Sequence, residues 1–573
     1  DWSEVHQRID GFGASSAWRS TWSTALADLL FSTNKGIVYT DNLGGRSTNN
    51  GVGLSLLRTR IAPGGTTVES SIMQLARDRG AKVWSAPWSP AIQFKDNNNL
   101  NGGNFVGTPE NYQAYATQLA GYVHNMNTQY GVDLYAISIQ NEPDANVTTY
   151  EACKWTAQQI HDFVPYLYNA LQATNAGSTM IVLPESQNWP DYQNLADTAM
   201  NDPSVAAMVG IVANHNYDGA EGPTTLAQNN FGKPFWETEV SILAGSDGSI
   251  NNGVYYARRI YQFMTVAQVN AWHYWWLVSG NSTGNEGLLD NNASPTKRLF
   301  THGNYSRFVR PGFYRIGAGS GDTLVSAYKD PQSSAFAIVV VNTNAAGVDQ
   351  TFNLANFPAV DSVTPWITSG TLSLADQAAV MVTNLEFTYT IPGMSVVTFA
   401  GQAASNAPNA APSFSPVANQ TVDAGINLVI TNLATDPDVP PQTLTYSLLN
   451  GPATAQVGAA DGVFSWRPLV SQADTTNVIS VQVADNGSPV LRATNTFTVT
   501  VNPLGPTSLE ATVVGGGQLS VLADGPFGPD YTLLTSSNLV DWQQLLTTNS
   551  PFTWSDTNAP IEPARFYLLQ LGP

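Results

Sequence analysis

Across roughly the first 300 residues, short apolar runs alternate with stretches whose apolar positions recur at helical spacing. The runs are GLSLLRTRI from Gly53, KVWSAPW from Lys82, LYAISIQ from Leu134, MIVLPES from Met180, VGIVANHNY from Val209, KPFWETEV from Lys233 and NAWHYWWLV from Asn270. Between two of them, YQAYATQLAGYV sets Tyr115, Leu119, Tyr122 and Val123 on one face of a predicted helix. Strand and helix patterns in strict alternation predict repeated β-α units around a parallel sheet. With an opening strand near Ile9 to Phe12, eight strands are available. That number predicts an α/β fold, a (β/α)8 TIM barrel over residues 1–305, whose first residues are also free to join the domain that follows.

The pattern then switches to period two. FAIVVVNT from Phe336 and MSVVTFAG from Met394 predict a β-sandwich side domain over residues 306–401. QAASNAPNAAP supplies a small-residue linker at 402–412. TLTYSLL, FSWRP, ISVQVADNG and TFTVTVNP follow at sandwich-like spacing, predicting a further β-sandwich at 413–503. NPLGP from Asn502 breaks that pattern, and 507–573 form a last small β-rich module ending in ARFYLLQLGP.

Charge narrows the partners. Lys and Arg number 23 against 43 Asp and Glu, a net charge of −20, and beyond Lys329 only Arg467, Arg492 and Arg565 are basic. Nucleic acid, whose phosphates need a basic surface, is excluded as a partner. Acidic substrates are disfavoured by the same field. No apolar run approaches the roughly 20 residues that span a bilayer, so no membrane partner is expected. Cys153 is the lone cysteine, so packing rather than a disulfide must stabilise the chain. The start at Asp1 fits a processed, secreted, extracellular protein and fits a trimmed chain equally. A monomer is expected.

Candidate chemistry lies where strands end, because the loops at the C-terminal rim of a barrel build its pocket. LYAISIQNEPD brings Glu142 to such an end, and FWETEV brings Glu237 and Glu239 to another. Alternation along a strand predicts that Glu237 and Glu239 face the same side, with Glu237 about 6 to 7 Å deeper, where it could tune its neighbour. Two carboxyl groups facing across a groove suit glycoside hydrolysis, one protonating the leaving oxygen while the other attacks or activates water. Asn141 is placed to bind a sugar hydroxyl. Trp84, Trp88, Tyr217, Trp275 and Trp276 offer flat faces near other strand ends. His215 and His273 are read as hydrogen-bonded wall residues rather than metal ligands, since no His or Cys cluster has ligand spacing, so neither metal nor cofactor is expected. Asp436 and Asp438 in TDPDVP could hold calcium, although a turn is the preferred reading.

Several long stretches together, QRIDGFGASSAW from Gln7, WSAPWSP, LYAISIQNEPD, YEACKW, VLPES, FWETEV and PTKRLFTHGNYSRFVRPGFYRI from Pro295, resemble glycoside hydrolase family 30, in particular its bacterial xylanase branch, over approximately residues 4 to 400. The resemblance implies a barrel with an attached β-sandwich, retaining chemistry and endo attack on β-1,4-xylan, with Glu142 as general acid/base and Glu239 as nucleophile. It further implies that Trp88, Tyr150, Tyr217 and Trp276 contact sugar and that Arg58 lies beneath the nucleophile. Family members that demand a glucuronic acid branch carry an Arg-Ser-Tyr segment after the last barrel strand and a Tyr two residues past the nucleophile. Here LVSGNSTGNEGLL from Leu277 and Ser241 stand instead, which predicts little dependence on that branch. A glucuronoxylan-specific xylanase, a relative acting on β-1,6-galactan or glucan, and a non-catalytic glycan-binding protein are the competing expectations. The segment 409–503 resembles cadherin-like or immunoglobulin-like modules of secreted bacterial enzymes, for which a spacer role is the first choice.

Overall fold

The computed structural model describes residues 1–573 apart from 190–191, 218–231, 242–246, 281–283, 320, 404–408, 439–441, 488, 515–517, 558–563 and 573, and apart from the side chains of 192–193. The chain forms two compact units, Asp1–Asn406 and Ala407–Pro573.

In the first unit eight strands close a parallel barrel: β1 (Gly11–Ser15), β2 (Leu56–Ile61), β3 (Lys82–Pro87), β4 (Leu134–Ser138), β5 (Met180–Ser186), β6 (Val209–His215), β7 (Phe235–Glu239) and β8 (Ala271–Trp276). Each pairs with the next, and β8 returns to β1. Side-chain alternation divides the core into two layers. Leu56, Trp84, Ala136, Val182, Ile211 and Trp236 fill the barrel interior. Leu57, Ile137, Leu183, Val212, Phe235 and Trp272 pack outward against the helices.

The helix expected after β3 spans Pro109–Tyr130 and buries Tyr115, Leu119, Tyr122 and Val123. Its bounds follow from local chemistry. Thr108 accepts the Asn111 N–H at 3.2 Å, Pro109 needs no amide partner in the first turn, and Gly131 ends the helix at φ 65°.

The opening strand begins later than expected, at Gly11, because Ile9 donates to Phe313 O and Asp10 to Asn270 O on the way in. Val5–Arg8 pairs antiparallel with Tyr314–Ile316, so the first residues do join the side sheet. That eight-stranded sheet continues through Leu324–Lys329, Ala335–Asn342, Ser395–Ala403 and Val360–Thr368. Asn304, on the helix Lys297–Ser306, donates to Trp366 O at 2.9 Å and Thr398 Oγ1 at 3.0 Å, locking sheet to barrel.

In the second unit, Gln420–Val422, Arg492–Val501, Thr475–Ala484 and Thr445–Asn450 form one sheet, and Leu428–Thr431, Val463–Trp466 and Gln456–Val457 another, over a core containing Trp466 and Phe497. Two three-stranded sheets follow between Ser508 and Gly572. At the candidate calcium site the Asp438 N–H donates to Asp436 Oδ1 at 2.8 Å, and the Asp438 carboxylate accepts the Ala410 N–H, which is turn geometry. Among the described residues no helix is long and apolar enough to cross a membrane.

Candidate active site

Glu142 follows the end of β4. Its amide donates to Glu185 O at 3.0 Å, and the Asn141 amide donates to Pro87 O at 2.8 Å, so the segment is tied to β5 on one side and β3 on the other. Glu142 and Glu185 both occupy the left-handed region, at φ 46° and 56°. For residues with a Cβ that costs roughly 1–3 kcal/mol each, and such strain persists where surrounding bonds over-determine the conformation.

Glu239 closes β7, and an irregularity in the pairing of β7 with β6 decides which way it points. Glu237 pairs with Asn214, but the next partners are Glu239 and His215. Two residues on β7 are therefore spanned by one on β6, as in a bulge. The slip corrects the expectation that Glu237 and Glu239 share a face. Trp236 faces the barrel interior, Glu237 turns outward level with Trp272, and Glu239 turns back inward beside His215.

Glu237 accepts the His273 N–H at 3.1 Å, and burial pushes its carboxyl up to about 8. A neutral acid on the outer face cannot attack a substrate in the mouth. His273 accepts from Trp84 Nε1 at 3.1 Å and its other ring nitrogen meets Glu237 O at 2.9 Å, with burial pulling its pKa down to about 3. That is the wall role expected of it.

In the mouth, one oxygen of Glu142, one of Glu239 and one ring nitrogen of His215 lie within 4.8 Å of one another. Glu142 Oε1 is 3.2 Å from His215 Nδ1, and Glu142 Oε2 accepts from Tyr150 at 3.2 Å. Glu239 Oε2 takes a hydrogen bond from Arg58 and is 3.8 Å from His215 Nε2, while Tyr217 donates to Glu239 Oε1 at 3.1 Å. Arg58 also donates to Asn141 Oδ1 and pairs with Glu185 at 3.0 Å, with both members of that pair wholly buried.

Electrostatics follow from this packing. Burial opposes charge on Glu185, yet Arg58 and His215 hold its carboxyl down to about 2. His215 is pushed up to about 10 in spite of burial, because Glu239, Glu142 and Glu185 surround the ring. Burial lifts the Glu239 carboxyl above its usual range, with His215 and Arg58 pulling it back and Glu142 and Glu185 adding to the rise. The spacing of Glu142, His215 and Glu239 would suit a divalent ion. Arg58 meanwhile sets a guanidinium against both Glu239 and Glu185, so carboxylates of this cluster are already paired with a fixed cation.

These groups open into a cleft of about 650 Å³. Of the residues expected to bind sugar, Trp88, Tyr150, Tyr217 and Trp276 line it, while Asn141 and Arg58 lie beneath, 2% and 0% exposed. Trp275 lines it too. Trp84 does not: it is fully buried in the barrel interior, so the expectation of a stacking face there is corrected. Trp88 covers the Arg58 guanidinium, 4.6 Å from ring centre to carbon.

Four residues at the site were not foreseen in their roles. Trp18, just beyond β1, is 42% exposed at the cleft and 5.4 Å from Trp88. Its position past a strand end is a signal of the same kind as that of Glu142. Glu185 lies in the VLPES stretch, and the sequence places His215 only in the wall. Glu286 lines the cleft from the stretch LVSGNSTGNEGLL, of which residues 281–283 lie outside the described residues.

A parallel barrel whose mouth sets two carboxylates against each other among indole rings defines a glycoside hydrolase. Residues 68–320 match the glycosyl hydrolase family 30 TIM-barrel domain. The glucuronoxylanase XynC of Bacillus subtilis strain 168 is 30% identical over 414 residues, covering 69% of this chain and 90% of that protein. The glycoside hydrolase family 30 subfamily 8 xylanase Xyn30A of Clostridium acetobutylicum superposes with a TM-score of 0.60 at 33% identity, over 70% of this chain and 98% of the other. A family 30 endoxylanase of Clostridium papyrosolvens C71 gives 0.58 at 28%, over 70% and 98%. The chain belongs to glycoside hydrolase family 30, within its xylanase and glucuronoxylanase branch.

Proposed function

We propose that the chain is a secreted, retaining endo-β-1,4-xylanase, with Glu239 as nucleophile and Glu142 as general acid/base. The observation that carries this reading is that one carboxylate oxygen of Glu142 and one of Glu239 lie within 4.8 Å of each other, which supports the closer of the two carboxyl spacings that glycosidases use. Inverting enzymes hold the two groups about 6.5–9.5 Å apart to admit a water, whereas retaining enzymes hold them about 5–5.5 Å apart. Arg58 on Glu239 favours the ionised form there, which supports that residue as the attacking group.

In the first step the Glu239 carboxylate attacks the anomeric carbon, the glycosidic C–O bond breaks, and the Glu142 proton passes to the departing oxygen. The product is a glycosyl ester of Glu239. In the second step Glu142 takes a proton from water, the oxygen attacks the same carbon, the ester C–O bond breaks, and Glu239 is released with β configuration at the new sugar end.

Tyr217 and Arg58 hold Glu239, and Tyr150 holds Glu142, while Trp276 supplies a stacking face, Trp88 backs the cleft at 2% exposure, and Asn141 gives a polar contact beside the reacting carbon. Xylan is the substrate that the named activities of the relatives favour, and a polymer of that size is met outside the cell. Cleavage that needs no glucuronic acid branch is the finer reading, supported by Ser241 and by a cleft in which no described lining residue is Lys or Arg.

The test is a digest of arabinoxylan, glucuronoxylan and β-1,6-glucan with the products sized. Ladders from both xylans and none from the glucan are expected. Products from glucuronoxylan alone would instead make the enzyme branch-dependent, and products from the glucan alone would reassign the substrate.

A further inference from the structure

The xylanase reading assigns Tyr150 to Glu142 but leaves open what holds Tyr150, which is 40% exposed. Resting on that reading, we infer that Arg60 is a positioning residue for the reaction: its two-point pair with Glu151 fixes the segment from which Tyr150 reaches the proposed acid/base.

Tyr150 has no regular structure to hold it. From Ile139 to Thr156 the chain forms neither helix nor strand, only isolated bridges at Glu151 and Lys154, which meet Asn101 and Asn104. Arg60 supplies a side-chain anchor: Nε donates to Glu151 Oε2 at 2.8 Å and Nη2 to Oε1 at 2.5 Å, with the two side chains 11% and 20% exposed. A planar fork on a carboxylate fixes direction as well as distance. Exposed ion pairs contribute little, but this one is bidentate and mostly out of water. Because Tyr150 directly precedes Glu151, holding that carboxylate limits where the phenol can go, and its hydroxyl lies 3.2 Å from Glu142 Oε2.

Arg60 is itself fixed. It belongs to β2, and its amide donates to Glu69 Oε1 at 3.1 Å. The other oxygen of Glu69 accepts from Ser16 at 2.5 Å, and the same carboxyl takes the main-chain N–H of Trp18. Glu69 is 1% exposed, so these bonds are made away from solvent. Trp18 sits in the left-handed region at φ 65°, a conformation that lasts where neighbouring bonds over-determine it, and the Arg60 guanidinium faces its indole 5.9 Å from the ring centre. The anchor of Tyr150 is therefore part of the same wall that carries Trp18. Arg60 does not line the cleft itself, so it acts through Tyr150.

The experiment measures kcat and KM on a neutral xylo-oligosaccharide for Arg60→Gln, for Tyr150→Phe and for the two combined. Alone, R60Q is expected to lower kcat about tenfold by letting the donor to Glu142 drift. In the Tyr150→Phe background, where that hydrogen bond is already gone, the same change should lower kcat by less than about twofold. An equal loss in both backgrounds overturns the assignment, as does an unchanged kcat in R60Q. Should R60Q not fold, Glu151→Gln carries the same comparison. If the wild type cleaves no xylo-oligosaccharide, the proposed function fails by itself, and crystal structures of the wild type and E151Q still read the clamp. A Tyr150 hydroxyl shifted by about 1 Å or more from Glu142 supports it, and an unmoved hydroxyl contradicts it.

Discussion

Glu142 and Glu239 touch the two nitrogens of one imidazole: His215 Nδ1 lies 3.2 Å from Glu142 and Nε2 lies 3.8 Å from Glu239. The ring, held as a cation by the carboxylates around it, offsets the repulsion that two buried acids at this distance would otherwise feel.

Removing that cation should shift the pH profile in a defined direction. In His215→Asn the carboxyl of Glu239 loses a charge that lowers its pKa, so its ionisation moves to higher pH. The acidic limb of kcat/KM is expected to move to higher pH. A profile of hydrolysis rate against pH checks this, and a limb that stays in place would separate His215 from the nucleophile.

Arg58 is the hub, and its loss should be structural as well as chemical. Arg58→Ala leaves Glu185 and Glu239 buried without their shared cation, at a cost of about 3–5 kcal/mol. Chemical denaturation reads that loss. For Glu185, whose carboxyl is held down to about 2 from an ordinary 4.5, the stabilisation is present above 4.5 and disappears as pH falls toward 2. The stability gap between wild type and variant should therefore narrow in that acidic window.

Glu237 predicts the opposite pH dependence. Its folded pKa is raised from 4.5 to about 8, so its contribution is fully present below 4.5 and is lost as pH rises toward 8. Glu237→Gln, which does not titrate, should match the wild type at pH 4 and exceed it near pH 8, by at most on the order of 4 kcal/mol. Melting curves at the two pH values measure this. Activity should survive, since the side chain faces away from the cleft.

Two of the four tryptophans that line the cleft should separate in kinetics. Trp276 lines the cleft and hydrogen-bonds Ala17 O at 3.2 Å, so Trp276→Ala is expected to raise KM about tenfold with little change in kcat. Trp88 also covers Arg58, so Trp88→Ala should lower kcat as well. Initial rates on one xylo-oligosaccharide measure both.

What was legible in the chain was what one strand can announce. The apolar runs marked the barrel strands, and Asn-Glu-Pro after an apolar strand marked Glu142 as an end-of-strand acid. The facing of Glu237 was not legible, because a bulge depends on how β7 registers with β6 and alternation assumes no slip. The charge cluster was hidden for a related reason: Arg58, Glu185, His215 and Glu239 come from four strands and meet only when the barrel closes. Trp84 illustrates the limit for aromatics, since an indole in a strand reads alike whether it fills the interior or meets solvent.

The central claim, that Glu239 attacks sugar carbon directly, is tested by trapping the ester. A 2-deoxy-2-fluoro xylobioside with a good leaving group slows the second step, and digestion followed by mass spectrometry locates the label. The account predicts one 2-fluoroxylobiosyl group, two sugar units, on the peptide containing Glu239, absent from Glu239→Gln. Label on Glu142 or Glu237, or no adduct while cleavage releases α-configured products, would contradict it.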